Sequence, residues 1–303
     1  QEKILGLAHP ETETTLQNLE WFYRGQGLYG HRQKLIEVES LYREEVAIRK
    51  EKLGPAHLET LWSVRYLGAS YETQGKYAEA EKMYTEMLAT CEHELGLAHP
   101  LTASTIDYLA LVLKNQKKLK EAEELYRKAV EMREKKLGPE HPSVATILNN
   151  YAYFHARKKP KKSEPLYLRA LAITEQVLGS EHLDTAMRMS NLANFYADQR
   201  RYAEAASLYE RALPIWQAQL ETEQPDIGAI TGLTNLARLY TDQGRYAEAE
   251  QLYQRTLPVC ERAWGRGHYT TRELYFYYTS MRQIIESKRK KGIWKLFRKW
   301  KEG

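Results

Sequence analysis

The feature that most constrains this 303-residue chain is an internal repeat of about 42 residues. The string Leu-Gly-x-x-His-Pro begins at Leu5, Leu95 and Leu137, and degenerate copies begin at Leu53, Leu178, Leu220 and Trp264. Repeats of this length are typical of solenoids, in which each unit is too small to fold alone and buries its apolar face against its neighbours. The chain is therefore expected to be an array of stacked units.

Each unit has the apolar spacing of two helices joined by a tight turn. In the fifth unit, Leu192, Ala193 and Tyr196 share one helical face at i, i+1, i+4 positions. After the turn, a second stripe of Tyr202, Ala205, Tyr209 and Leu213 follows the same period of 3.6 residues. Apolar residues at this spacing predict amphipathic helices that face a shared core.

The junction string has a physical reading. Glycine ends a helix by entering the left-handed conformation at little steric cost, and proline suits the first turn of the next helix. Six of the nine histidines recur once per unit at this junction: His9, His57, His99, His141, His182 and His268. A recurring junction position indicates a structural role rather than a catalytic or metal-binding one.

The pattern resembles the tetratricopeptide repeat, and more closely its 42-residue kinesin-light-chain type. The resemblance is carried by Leu-Ala, Tyr, Gly-Arg-Tyr, Glu-Ala-Glu, Leu-Tyr and Leu in residues 235–257, and it covers essentially residues 1–263. It implies an all-α fold, a right-handed superhelical solenoid of about six helix pairs with a C-terminal capping helix. We assign residues 1–287 to this solenoid, with the capping helix at 268–287, and residues 288–303 to a separate basic tail.

Three units depart from the common length, and all three changes are expected in connections, where insertions are tolerated. Repeat 1 has six extra residues between Gly27 and Tyr42, which we place in its turn. Repeat 4 lacks a residue and has a basic turn at 157–162. Repeat 6 gains two residues near Ile227.

The resemblance also implies where a ligand would bind, since tetratricopeptide grooves are lined by the first helix of each unit. The expected groove residues are Asn18, Trp21, Arg65, Tyr66, Asp107, Tyr108, Lys114, Asn149, Asn150, Tyr153, Arg157, Asn191, Asn194, Asn235 and Arg238. Their charges are mixed, so the groove is not strongly basic.

One column of the groove has asparagine in four units, at Asn18, Asn150, Asn191 and Asn235. Asparagine is unfavourable inside a helix, so its recurrence requires a reason. The amide can donate to and accept from the backbone of an extended peptide, as family grooves do, or it can bond to the adjacent repeat. Both explanations remain open at this stage.

The basic character of the chain belongs to its C-terminal end. Residues 286–303 contain eight Lys or Arg and two Glu, whereas the other 285 residues sum to a charge of −1. Ile293, Leu296, Phe297 and Trp300 share a helical face, a pattern typical of membrane-surface or partner helices. The candidate tail residues are Lys291, Trp294, Phe297, Arg298 and Trp300. The alternative is that the tail folds back onto the solenoid, or docks onto another domain or a second copy, and nucleic acid is the less expected partner.

No Gly-rich phosphate loop, metal-ligand spacing or nucleophile motif is visible, so we expect no enzyme, no metal and no cofactor. The first hypothesis is a scaffold or adaptor that binds a protein or peptide. The alternatives are a sensor or regulatory region of a larger signalling protein with an ATPase or protease upstream, or a protein that associates with membrane or nucleic acid through its tail. Two cysteines and no apparent signal peptide or membrane span suggest a cytoplasmic location. The partner, its motif, the pathway and the oligomeric state do not follow from the sequence.

Overall fold

The computed structural model describes the backbone of residues 28–302 and the side chains of residues 35–290. This part of the chain folds into twelve α-helices and contains no strand. The helices are α1 (Leu28–Leu53), α2 (Leu58–Thr73), α3 (Tyr77–Thr90), α4 (Pro100–Asn115), α5 (Leu119–Leu137), α6 (Pro142–His155), α7 (Pro160–Leu178), α8 (Leu183–Asp198), α9 (Tyr202–Gln219), α10 (Ile227–Asp242), α11 (Tyr246–Trp264) and α12 (Tyr269–Glu302). Even-numbered helices are the first helices of their repeats and odd-numbered helices are the second.

The chain divides into two compact units, which we call unit 1 (Gln1–Tyr151) and unit 2 (Ala152–Gly303). Consecutive helices pack against one another from α1 to α5 in unit 1 and from α7 to α12 in unit 2. Their contacts are made by side chains at the predicted stripes: Ala80 and Ala122 in unit 1, and Ala193 and Ala205 in unit 2, are buried. These small residues allow the paired helices to approach closely, as the sequence pattern predicts.

The second helices end as the junction string predicts. Gly54, Gly96, Gly138, Gly179 and Gly265 follow them, each with a positive φ between 78° and 96°. After α3 the last turn is π-helical over Cys91–Leu95, and the Gly96 N–H donates to the Cys91 carbonyl at 3.0 Å. Only α9 has no such glycine, because Glu221 replaces it.

The turns inside the repeats are secured by ion pairs with the preceding repeat. In unit 1, Lys76 Nζ lies 2.5 Å from Glu39 Oε2, and Lys118 Nζ lies 2.8 Å from Glu81 Oε2. In unit 2, Arg201 Nη1 lies 2.9 Å from Glu164 Oε1. Each pair joins residues 37 positions apart, so one sequence spacing fixes the stacking of one repeat on the next.

The placement of the extra residues of repeat 1 in a turn is wrong. They lie inside α1, which is continuous over 26 residues, against 14–19 for the other second helices. Nothing between Leu28 and Leu53 breaks a helix, since this segment contains no proline and only one glycine, Gly30. The inserted residues therefore lengthen the helix instead of forming a loop.

The last helix, α12, runs without a break from Tyr269 to Glu302, through the residue at which we expected the tail to begin. The side chains after Lys290 lie outside the described residues. No helix in the described part of the chain is both long enough and apolar enough to cross a membrane.

Candidate functional site: the exposed faces of the first helices

The second helix of each repeat places a buried tyrosine at the same position. These are Tyr42, Tyr84, Tyr126, Tyr167, Tyr209 and Tyr253, and all are at most 4% exposed. Three of their hydroxyls donate to polar groups on the first helix of the same repeat: Tyr84 to Glu72 at 2.9 Å, Tyr126 to Asp107 at 2.7 Å and Tyr209 to Asn194 at 2.5 Å. The tyrosines therefore form the core and also orient residues of the opposite helix.

Each first helix keeps one face free of burial, at positions i, i+4, i+7 and i+11. We call the residues at these positions the A-face. In unit 1 they are Trp62, Tyr66, Ala69 and Thr73 of α2, Ser104, Tyr108, Leu111 and Asn115 of α4, and Thr146 and Asn150 of α6. In unit 2 they are Tyr153 of α6, Arg157 just after it, Met187, Asn191, Asn194 and Asp198 of α8, Thr231, Asn235, Arg238 and Asp242 of α10, and Glu273, Tyr277, Ser280 and Ile284 of α12. None of these residues is buried by the fold.

In unit 1 the A-face is aromatic and holds a fixed cation. The Arg65 guanidinium carbon lies 5.1 Å from the ring centroid of Tyr66 and 5.2 Å from that of Tyr108. Trp62 stacks on Tyr66 with ring centroids 6.5 Å apart. Trp62 and Leu111 are 40% and 45% exposed, so they offer apolar surface beside the guanidinium. Lys114 is also exposed at this end of α4.

Asp107 and Asn150 link α4 to α6 beneath the A-face of unit 1. Asn150 Nδ2 donates to Asp107 Oδ2 at 2.6 Å, and Asn149 Nδ2 donates to Asn150 Oδ1 at 3.3 Å. Asn149 itself is only 6% exposed. Burial raises the pKa of Asp107 to about 6, although the hydrogen bonds from Tyr126 and Asn150 act in the opposite direction. This carboxyl group therefore titrates closer to neutrality than an ordinary aspartate.

The raised pKa of Asp107 predicts how the free energy of unfolding depends on pH. The unfolded state loses the Asp107 proton near pH 4 and the folded state near pH 6, so the free energy of unfolding should fall as pH rises through this window. The full cost, on the order of 3 kcal/mol, should be present above pH 6. Chemical denaturation of the wild type and of Asp107→Asn from pH 4 to 7 measures it: the variant should lose this fall. Parallel curves would contradict the assignment.

In unit 2 the A-face carries more polar side chains, although Met187 and Ile284 are also exposed on it. Asn194 Oδ1 accepts from Tyr209, and the Arg238 guanidinium carbon lies 4.5 Å from the centroid of the Tyr277 ring. Asn191 and Asn235 are partly exposed, and Asp198 and Asp242 end their helices in the open. Since α10 packs against both α8 and α12, the first helices of unit 2 lie side by side. Tyr153, 78% exposed, is the most accessible aromatic side chain of the predicted set, and Arg157 is exposed beside it.

The structure gives the asparagine column more than one environment. Asn150 bonds to the preceding repeat, as the structural explanation requires, whereas Asn235 is partly exposed and has no recorded hydrogen bond in the described part of the chain. Asn18 and Trp21 lie outside the described residues, as do the side chains of Lys291, Trp294, Phe297, Arg298 and Trp300. Sequence reasoning missed the tyrosine hydroxyls, although the fixed Tyr position in every second helix was visible.

The junction histidines cap the first helices. In His57, His99, His141 and His182 the Nδ1 atom accepts the backbone N–H two residues later, at 3.1–3.3 Å. An imidazole nitrogen without a proton can replace the usual serine or aspartate oxygen at an N-cap. Where histidine is absent, before α10, Asp226 Oδ1 accepts from the Ala229 N–H at 2.8 Å. Capping accounts for these histidines physically.

The cap predicts a graded effect at His99. His99→Ala should lower the free energy of unfolding by about 1 kcal/mol, because the Leu101 N–H loses its acceptor. His99→Asn should retain most of the stability, because asparagine is a good N-cap. Urea denaturation of the three proteins measures both effects. Equal losses in both variants would assign the role of His99 to packing rather than to its Nδ1 atom.

The described residues contain no group of three or more His, Cys, Asp or Glu side chains arranged to hold a metal ion. The two cysteines, Cys91 and Cys260, are free and buried. Burial raises the pKa of the Cys260 thiol to about 11, which leaves it an unreactive thiol at neutral pH.

These features define a helical repeat protein of stacked helix pairs with a free face on each first helix. Tetratricopeptide repeat models match residues 27–93, 144–218 and 188–262, and a further tetratricopeptide repeat model matches residues 102–143. The matches cover more than half of the chain, and the protein belongs to the tetratricopeptide repeat family. The predicted family and the all-α superhelical repeat fold are confirmed. Tetratricopeptide repeats are typically non-catalytic interaction scaffolds.

One solved structure shows the same fold, and a second is similar in sequence. BtubC (BKLC) from P. vanneervenii is similar with a TM-score of 0.53 and 24% identity, covering 78% of this chain and 93% of that one. Kinesin-light-chain TPR-like repeats from Podosopora anserina give a TM-score of 0.49 and 26% identity over 67% of this chain and 95% of theirs. No curated protein sequence matches the chain.

Proposed function

We propose that the protein is an interaction scaffold that binds a segment of a partner protein along the A-face. The observation that supports this most is that every described first helix leaves the same four-position face unburied, although large apolar side chains occupy parts of it. Exposed apolar side chains that recur on one face of a repeat array are typical of a binding surface.

The two units offer different chemistry to such a segment. In unit 1, apolar side chains of the ligand would pack against Trp62, Tyr66 and Leu111. The Arg65 guanidinium lies beside them, between the rings of Tyr66 and Tyr108. In unit 2, Asn235 and Arg238 would bond to its backbone and carbonyl groups. Asn149 is buried, so we assign it the role of orienting Asn150 rather than direct contact.

We further propose that the protein is not an enzyme and acts inside the cell. Asp107 and Glu72, which lie beside the A-face, accept hydrogen bonds from Tyr126 and Tyr84 that serve the fold. Two free, buried thiols suit a reducing compartment.

A peptide array tests the proposed surface. Wild type should select a subset of random peptides, and two variants should weaken the selected ones about tenfold or more, since contact residues at the centre of an interface carry most of the affinity. The variants are Trp62→Ser/Leu111→Ser in unit 1 and Asn235→Ala/Arg238→Ala in unit 2. Circular dichroism first confirms that each variant is folded.

Matched control variants lie on the second helices. Met132→Ser/Leu168→Ser removes apolar side chains that are 36% and 46% exposed, and Gln251→Ala/Gln254→Ala removes exposed polar ones on α11. The controls should keep the wild-type affinity. If wild type selects no peptide, or if the control variants lose binding as much as the A-face variants, the proposal is wrong.

A further inference from the structure

The turns between the paired helices of unit 2 form a basic edge, which we call the turn edge. It contains the loop after α6, the Arg200 turn after α8 and the Arg245 turn after α10. The ion pair between Arg201 and Glu164 places the second of these turns against the start of α7, which follows the first. Neighbouring turns are therefore about one helix spacing apart, roughly 8–10 Å.

Several cations on the turn edge have no acidic partner. Arg157, Lys158, Lys161 and Arg200 are exposed, and no carboxylate of the described chain lies within ion-pair distance of any of them. Arg201 and Arg245, by contrast, pair with Glu204 and Glu248.

Arg200 occupies a left-handed conformation, with φ of 60°, at a position where other repeats have Gly75 and Gly244. A non-glycine residue is strained there by about 1–2 kcal/mol. Packing does not explain the choice of arginine, because its side chain is exposed. A requirement for charge at this edge would explain it.

The basic end of α12 leaves the fold at the same edge. Lys288 Nζ contacts the Tyr246 hydroxyl at 2.6 Å, and Tyr246 is the first residue of α11, directly after the Arg245 turn. At Lys288, α12 therefore reaches the first residue of its antiparallel neighbour α11. The fourteen residues from there to Glu302 extend α12 by about 21 Å. By sequence this extension carries seven cations and one acid, and its apolar residues recur at helical spacing.

Two acids at the turn edge oppose this charge. Asp198 and Asp242 end α8 and α10 and are exposed. Glu164, Glu204 and Glu248 are already paired with arginines, and Glu286 is paired with Lys290 at 2.8 Å. On the turn edge, four exposed cations without an acidic partner therefore outnumber the two exposed acids. By sequence, the α12 extension adds further positive charge.

We propose that the turn edge of unit 2 and the end of α12 together bind an anionic membrane surface. The turn cations face the lipid phosphates and carboxylates, and the α12 extension lies in the interface. Arg157, Asp198 and Asp242 belong to both surfaces, whereas the rest of the A-face is left available to a partner segment.

Vesicle flotation with the full chain tests the proposal. Wild type should float with phosphatidylcholine vesicles that contain phosphatidylserine, should not float with pure phosphatidylcholine, and should dissociate at high salt. Each lost cation should weaken binding about fivefold, so the four changes Arg157→Gln/Lys158→Gln/Lys161→Gln/Arg200→Gln should together weaken it by roughly 600-fold. A second variant, Trp294→Ser/Phe297→Ser/Trp300→Ser, should also weaken it.

The control removes the same number of cations elsewhere: Lys50→Gln/Lys52→Gln/Lys135→Gln/Lys136→Gln, all exposed at the far ends of second helices. It should bind within about twofold of wild type, because these charges are not part of the turn edge. Three results would overturn the proposal: no binding to anionic vesicles, equal losses in the control and the turn-edge variant, or full binding by the turn-edge variant. Displacement of the vesicles by single-stranded RNA at equal charge would also overturn it, in favour of nucleic acid.

Discussion

Trp216→Ala is expected to lower the free energy of unfolding by about 3–5 kcal/mol, among the largest losses of any single substitution in this protein. Trp216 lies on α9, is 1% exposed, and its ring contacts that of Tyr209 with centroids 6.0 Å apart. Its truncation leaves a cavity between two repeats that the paired helices cannot close. Guanidinium denaturation followed by circular dichroism measures the loss. A loss below about 1 kcal/mol would contradict the assignment of Trp216 to the core.

A double-mutant cycle with Gly232 provides the control. A Cβ atom on Gly232 would overlap the Trp216 ring, so Gly232→Ala alone should cost about 1–3 kcal/mol. In the Trp216→Ala background the same change should stabilise, because the overlap is gone and alanine favours a helix. Independent, additive effects would show that the two residues do not contact each other.

Arg49→Met is the second change with a large expected effect, a loss of about 3–5 kcal/mol. Arg49 and Glu45 lie on α1, both at most 1% exposed, with Arg49 Nη2 at 3.3 Å from Glu45 Oε1. Arg49 Nη1 also donates to Ser63 Oγ at 2.8 Å on α2. Removing the guanidinium deletes the cation that lies 3.3 Å from this buried carboxylate. Thermal and urea denaturation of the variant measure the cost.

The matched variant Glu45→Leu/Arg49→Met removes both charges. It should recover most of the lost stability, because a buried ion pair can be replaced by apolar residues at little cost. Ser63 remains bonded in this variant, since its hydroxyl also lies 3.0 Å from the Glu59 carbonyl oxygen. If the double variant is as unstable as Arg49→Met, the pair contributes through packing and not through its charges.

These two sites belong to one column of contacts between repeats. Arg49 meets Ser63, Cys91 lies 3.9 Å from Thr105, and Trp216 covers Gly232. The residue on the second helix changes in size and polarity, and the residue on the next first helix compensates. No single repeat reveals this rule, because the two partners belong to different repeats. The sequence pattern predicts which positions are apolar or small, but only the structure shows which residue of one repeat contacts which residue of the next.

The helix boundaries followed from the sequence because their causes are local. Glycine, proline and the capping histidines act within a few residues of the helix ends they define. The environment of the asparagine column did not follow, since the bond from Asn150 to Asp107 joins residues 43 positions apart. Its formation depends on how one repeat stacks on the next. The extra residues of repeat 1 were wrongly placed in a turn. The length of the repeat shows that residues are inserted, but it does not show whether they form a loop or lengthen a helix.

The central claim is that a partner segment lies along the A-face. Photo-crosslinking tests it most directly: a peptide selected on the array carries a photoreactive residue, and mass spectrometry identifies the crosslinked residues of the protein. We predict adducts on A-face residues of α2 and α4, such as Trp62 and Leu111, or of α8 and α10, such as Asn191 and Asn235. Adducts confined to second helices, near Met132, Leu168 or Gln254, would contradict the claim.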